Sequence, residues 1–389
     1  MSYKKGGEAI STTRATNLPF PASPTAHGPR ATFASLTAMR GVAALLVAFF
    51  HLRYGVMGVP LFDAYIFSYR FGNKGYLWVD FFFLLSGFIL AYRYGDTYRS
   101  LSGKSYGHFV WQRIARIWPL HLAAMGLAII YLWLWYGPHG LTGAAILSNF
   151  FLVHSWGYYF APPLNFPSWS LSCEWGAYLV LPLYLLLVYR LRHAWIHISL
   201  VIGLFAFLVW YAASFGHGTL DELRERWGLG RCMIEVAMGV SLFRLHDSLR
   251  SWKTACDDDL WSWVTTMCDL IAAAMFCALF AVLTYSDYDL YFTPLAGALI
   301  LALSLAEGPF SYLLKRRPMV LLGEISFSIY MLHAFVLWAC QDLPASFKTQ
   351  LPFWGGAILL LGAHLLVIGL SYGSFKLIER PAHRLLTGR

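Results

Sequence analysis

The stretch Arg40-Gly-Val-Ala-Ala-Leu-Leu-Val-Ala-Phe-Phe-His51 decides how the whole chain is read. Its ten central residues are apolar and resemble the core of a signal peptide. No small-residue cleavage site follows, only Phe50-His51-Leu52-Arg53, so it reads as an uncleaved first membrane helix. Composition agrees. Of 389 residues, 58% are hydrophobic and only 13% are charged, about half the share a soluble domain needs for a hydrated surface. The class is a polytopic, all-α integral membrane protein. The net charge of +9 does not indicate nucleic-acid binding, because the cations sit in short loops between apolar runs. Six cysteines show no paired C-x-x-C spacing, so neither a zinc site nor a disulfide framework is expected, and no metal is assigned.

Further runs able to cross a hydrocarbon core lie near 75–95, 117–136, 170–190, 195–214, 229–245, 261–284, 291–307, 319–340 and 353–376, which predicts about ten spans. The shorter run 141–153 is assigned as a re-entrant or interfacial helix. If it does not cross, 22 of the lysines and arginines fall on the N-terminal side and 7 on the other. If it crossed, that asymmetry would collapse. Both termini are therefore expected in the cytoplasm of a multi-pass protein of the inner (cell) membrane. Residues 1–35 are basic and proline-broken and read as a disordered cytoplasmic tail, leaving 36–389 as the membrane domain. The basic segment 104–118 is expected to lie as an interfacial helix before the third span.

A charge inside a membrane is costly, so each is a candidate for function. Arg40 and His51 are eleven residues apart, three turns plus about 20°, and share one helix face with an axial separation of about 16.5 Å. Asp80, Glu174 and His333 come from three other spans and are expected at a depth similar to that of His51. A carboxylate beside an imidazole fixes its tautomer and raises its basicity, as a general base requires. One or two of these four can equally be buried polar groups tying helices together. Arg231 and Glu235, at i and i+4, are expected to neutralise each other. Arg113 and Arg116 lie one turn apart at the cytoplasmic edge. They suit phosphate oxygens, or plain membrane anchoring.

These residues are similar to those of the acyltransferase-3 family of membrane O-acyltransferases. The resemblance covers about 36–386 and rests on six marks: Arg40-x10-His51; Trp78-Val-Asp80-Phe-Phe-Phe-Leu-Leu-Ser86-Gly87-Phe88; Arg113-x-x-Arg116-Ile-Trp-Pro119; Trp169-Ser-Leu-Ser172-x-Glu174; Ile325-Ser326-x-Ser328-Ile-Tyr330-x-x-His333; and Ile378-Glu379-Arg380-Pro381. Two positions depart from the family pattern: Gln112, where a basic residue is common, and His121, where an aromatic is.

The resemblance implies transfer of an acyl group, first of all acetyl, from cytoplasmic acyl-CoA to a carbohydrate hydroxyl, such as one on an exopolysaccharide repeat unit. Arg40, Arg113 and Arg116 would hold the phosphates of acetyl-CoA. His51 would act as base or as acylated nucleophile; both remain open. Glu174 or Asp80 would orient it, and Ser170, Ser172 or Trp169 would donate to the oxyanion. His333 is assigned to the substrate side. Trp156, Tyr158 and Tyr159 would suit stacking on a sugar. Some relatives append a periplasmic domain of the SGNH-hydrolase type. None is recognised here, so a second acyl-handling step is expected in this membrane unit or in another protein. Lipid bilayer, acyl-CoA, a glycan and polysaccharide-assembly proteins are the expected partners. The rival class is a transporter or flippase of a lipid-linked glycan, which would favour broken helices in two repeated halves, a symmetry the sequence does not show.

Overall fold

The computed structural model describes residues 33–68, 70–95, 97, 102–157, 163–224 and 226–388. The expected tail falls outside these apart from its last three residues, as do Tyr158 and Tyr159. All regular structure among the described residues is helical. The principal helices are α1 (Ala34–Leu52), α2 (Trp78–Tyr94), α3 (Gly103–Tyr136), α4 (Gly143–Phe150), α5 (Ser168–Val188), α6 (Ala194–Phe215), α7 (Gly228–Trp252), α8 (Asp258–Tyr285), α9 (Phe292–Leu305), α10 (Arg317–Glu324), α11 (Ser326–Gln341), α12 (Phe353–Ser374) and α13 (Arg380–Thr387).

Each of the ten expected spans is helical, but the count by length and composition is lower. Among the described residues, seven helices are long and apolar enough to cross a membrane, eight if a bent pair counts as one span. Helix α7 has the length, at 25 residues, yet carries Arg231, Glu235, Arg244, Asp247 and Arg250. Helix α9 is apolar but has only 14 residues. The run expected as one span over 319–340 is broken: α10 and α11 meet at 67°. Arg40 fixes the break, donating through Nη2 to Gly323 O at 2.7 Å and through Nε to Ser326 Oγ at 2.9 Å. A guanidinium there satisfies a carbonyl that the ending helix leaves open and complements its dipole.

A second difference concerns the basic segment 104–118. It is not separate from the following span, since α3 runs unbroken for 34 residues with Pro119 inside it. A capping box starts it, with Ser102 and Ser105 satisfying each other's backbone. Proline removes one intrahelical hydrogen bond, and the remaining ladder carries the helix on, as membrane helices tolerate. Helix α4 has eight residues, about 12 Å at the helical rise, too short to cross.

Close packing of small residues brings the site helices together. A Cβ on Gly87 of α2 would lie 2.0 Å from Val236 O of α7, and one on Gly239 of α7 would lie 2.0 Å from Leu84 O of α2. Likewise a Cβ on Gly41 would meet Gly323 N at 2.6 Å, so α1 and α10 touch backbone to backbone. In lipid there is little hydrophobic drive between helices, and such contacts supply dispersion in its place. Helices α6 and α8 sit at the margin: only His197, Leu208 and Ala212 of α6 are buried, as suits apolar faces turned to lipid.

Candidate active site

Arginines expected on separate helices converge. Arg40 from α1, Arg113 and Arg116 from α3, and Ser170 and Glu174 from α5 line one cavity of about 170 Å³. Arg40 is committed through Nε and Nη2 to the α10–α11 break, and Arg116 is ion-paired: its Nη1 lies 2.7 Å from Glu379 Oε2, and Glu379 also accepts from Ser328 Oγ. The α-helical ladder widens to a π-turn over Phe375–Glu379 just where this carboxylate is presented. Such bulges re-aim side chains and often mark functional positions. Arg113 is less committed. Its Nη2 donates to Tyr94 Oη at 3.2 Å, its guanidinium lies 5.6 Å from the Tyr94 ring centroid and 5.9 Å from that of Tyr178, and its Nε is buried without a hydrogen-bond partner.

Glu174 accepts from the Tyr178 hydroxyl one turn on, and Ser86 Oγ lies 3.0 Å from that same hydroxyl. Ser170 Oγ lies 2.6 Å from Tyr330 Oη. Tyr178, Ser86, Tyr330 and Glu379 carried no individual role in the sequence reading. Tyr178 was findable, since a tyrosine one turn after Glu174 must share its helix face.

Tyr330, at the cavity wall, neighbours a histidine pair. The Tyr330 and His333 rings lie 5.9 Å apart on α11, and His333 Nε2 lies 3.1 Å from His51 Nδ1. Both Nδ1 atoms also face carbonyls one turn back: Ile329 O at 3.3 Å for His333, and Val47 O at 3.1 Å for His51. A carbonyl only accepts, so each Nδ1 carries the proton, and this assignment follows from the network. His333 Nε2 is then an acceptor for His51 Nδ1–H. The consequence is that His51 Nε2 holds a free lone pair. His51 faces protein, not lipid: Phe166 lies 4.8 Å from it, ring centroid to ring centroid.

Four groups were expected to converge with His51 among them, and the structure brings together only His51 and His333. The partner that orients His51 is a neutral imidazole and not a carboxylate. Asp80 accepts instead from Arg231, through Nε at 2.7 Å and Nη2 at 2.6 Å, with both side chains fully buried. That corrects the Arg231–Glu235 expectation. Glu235 accepts from Thr293 Oγ1 at 3.3 Å. Ser172 does not line the cavity. Its hydroxyl donates to Leu152 O at 2.8 Å and accepts from Ser155 N at 3.1 Å, pinning the segment after α4 against α5. Trp169 packs edge-on against Phe83 and lies 6.0 Å from the Arg231 guanidinium. Trp156 donates to Ser172 O at 2.8 Å and is part of the same tie. Among the described residues, no group of three or more His, Cys, Asp or Glu is placed to hold a metal.

Comparison with known proteins agrees with the resemblance, and five of the six marks fall inside the matched residues. The family model described as an acyltransferase domain matches residues 33–373. The chain is 25% identical over 344 residues to the peptidoglycan O-acetyltransferase OatA of Listeria monocytogenes, a match covering 82% of this chain and 53% of that protein. It is 37% identical over 131 residues to the acyltransferase MdmB of Streptomyces mycarofaciens, covering 31% of this chain and 32% of that protein. The matches thus span about half, or less, of the length of these relatives. No solved structure matches the chain. With the family model covering most of its length and the convergent arginines and paired histidines falling within it, the chain belongs to the acyltransferase-3 family.

Proposed function

We propose that the protein is a membrane O-acyltransferase that moves an acyl group, acetyl in the first instance, from acyl-CoA to a hydroxyl of a glycan. The observation that carries the proposal is that Tyr330, a wall of the arginine-lined cavity, neighbours the His51–His333 pair. Phosphate oxygens would take the unpartnered Arg113 Nε and the Nη1 of Arg40, whose other nitrogens hold the α10–α11 break, with Arg116 held ready by Glu379. The loop-charge asymmetry supports a cytoplasmic position for this end, where CoA esters are made. The separation of about 16.5 Å between Arg40 and His51 along α1 is of the length of a pantetheine arm.

His51 Nε2 would remove the proton from the acceptor hydroxyl as its oxygen attacks the thioester carbonyl. The Nδ1–H bond to His333 steadies the imidazolium that forms. A new C–O bond forms, the oxyanion is met by hydroxyl donors, and the C–S bond then breaks. The departing CoA thiolate takes the proton from His51, leaving an ester and free CoA. Ser170 and Tyr330, which share a 2.6 Å hydrogen bond at the cavity wall, are the donors nearest this path. Asp80, Ser172 and Trp169 take no step in the reaction.

One relative's name gives an acceptor, peptidoglycan, and the other's gives only the acyltransferase activity. An exopolysaccharide or other cell-surface glycan fits a membrane enzyme of this orientation, working beside polysaccharide-assembly proteins. Purified protein in lipid nanodiscs, given acetyl-CoA labelled in the acetyl group and a panel of glycans, should form an alkali-labile labelled ester. Absence of label on every glycan, with intact binding of CoA, would contradict the proposal and favour carriage over catalysis.

A further inference from the structure

At the end of the bundle away from Arg113 and Arg116 lies a second cavity, of about 300 Å³, lined by Leu132, His139, Leu141, Leu164, Phe166 and Trp338. We propose that this cavity is the acceptor subsite, holding one pyranose ring of a glycan with a hydroxyl directed past Phe166 to His51; the inference rests on the acyl-transfer reading above. Phe166 is the shared wall. Its ring centroid lies 4.8 Å from His51, 5.5 Å from His333 and 6.3 Å from Trp338, so the cavity and the histidines meet on opposite sides of one side chain.

The chemistry of the lining fits a sugar. A pyranose ring has an apolar C–H face that lies flat on an aromatic ring, and polar edges that need hydrogen bonds. Trp338 continues an aromatic ladder, stacked on Tyr131 at 4.6 Å and 9°, with Tyr131 in turn stacked on Trp135 at 5.1 Å and 18°. The Tyr131 hydroxyl donates to Asp342 Oδ2 at 2.8 Å, fixing the ladder's tilt and leaving a carboxylate beside the mouth. His139 supplies a second polar edge. The volume stands at the lower end of small-ligand sites, enough for one ring and its neighbour's edge.

The two cavities also divide the work that a two-substrate transfer requires. The arginine cavity, at about 170 Å³, cannot take an acyl-CoA arm and a sugar together. A second compartment, one side chain (Phe166) away from the histidine pair, relieves that conflict. It also moves the sugar platform from Trp156, which is tied to the Ser172 backbone, to Trp338.

The experiment uses membranes from cells expressing the full chain, whose own glycans serve as acceptor, with labelled acetyl-CoA at saturation. Trp338→Ala and the cavity-filling Leu141→Trp should each reduce label entering glycan at least tenfold. CoA affinity and the slow acceptor-independent release of CoA should stay at wild-type values. Trp338→Phe, which keeps an aromatic face, should retain at least a third of the labelling. Wild-type labelling in both disruptive variants overturns the inference and points to a lipid chain or nothing in the cavity. Equal losses in CoA binding and glycan labelling also overturn it, because the cavity would then serve the fold. His51→Ala is the control for the underlying reaction: if it labels glycan as well as wild type, the acyl-transfer reading falls and takes this inference with it. Loss in His51→Ala with no effect at Trp338 and Leu141 removes the subsite alone.

Discussion

The charged groups around Asp80 and those around Arg113 are both buried in this bundle, and they differ in what they leave undone. Around Asp80, Arg231 uses all three nitrogens: Nε and Nη2 on the two Asp80 oxygens and Nη1 on Leu220 O at 2.7 Å. The pair is fully buried, and each donor of Arg231 named here has its acceptor. Around Arg113 the opposite holds: a guanidinium rests on aromatic faces, one buried nitrogen has no partner, and open volume lies beside it. Both look alike in sequence, as ionisable residues in apolar runs. A buried charge must be answered in either case. Only where the protein itself gives an incomplete answer, next to a cavity, is there a place for a ligand.

That contrast can be broken by substitution. The largest stability effect is expected at Arg231. Arg231→Leu strands the Asp80 carboxylate and should cost about 3–5 kcal/mol, seen as a marked fall in the melting temperature in detergent or nanodiscs. The double variant Asp80→Leu/Arg231→Leu should recover most of that loss and keep transfer within about threefold of wild type, since the two paired charges leave together. A double variant that folds but is inactive would return Asp80 to the reaction. At Arg113 the pattern should invert. Arg113→Ala should leave the melting temperature nearly unchanged and weaken CoA binding about 10–100-fold, as expected for loss of charge-assisted hydrogen bonds. Arg113→Lys should not restore it, because an ammonium lacks the planar fork.

Between these lies the orienting imidazole. His333→Ala should lower transfer about tenfold or more with CoA binding unchanged, while His333→Gln, which can still accept from His51 Nδ1–H, should recover much of the rate. Equal loss in both variants would make His333 a packing residue. The smallest effect is electrostatic screening. Raising ionic strength toward 1 M, where the Debye length is about 3 Å, should raise the KM for acyl-CoA a few-fold and leave kcat alone.

How much of this the sequence discloses depends on distance along the chain. Arg40 and His51 on one face of one helix, and Arg113 beside Arg116, follow from helical period alone. So does the non-crossing α4, from its length and flanking charges. Partnerships between helices do not follow. Asp80 and Arg231 are 151 residues apart, and His51 and His333 are 282 apart. In each case a nearer or more obvious candidate, Glu235 or a carboxylate, loses to a tertiary contact. The bend between α10 and α11 is hidden for the same reason, because the Arg40 side chain that holds it comes from the far end of the sequence. The Asp269 side chain shows how such a charge can be wholly structural: it accepts from Phe310 N at 2.9 Å and Ser311 N at 2.7 Å, capping the short helix Pro309–Leu314.

The account turns on the lone pair of His51 Nε2. The direct test measures CoA binding and acetyl transfer side by side in purified wild-type protein and His51→Ala. The account predicts unchanged affinity for acetyl-CoA, an unchanged melting temperature, and transfer lower by about 10³-fold, within the range that general-base removal produces. Transfer at the wild-type rate from protein lacking that imidazole would contradict it.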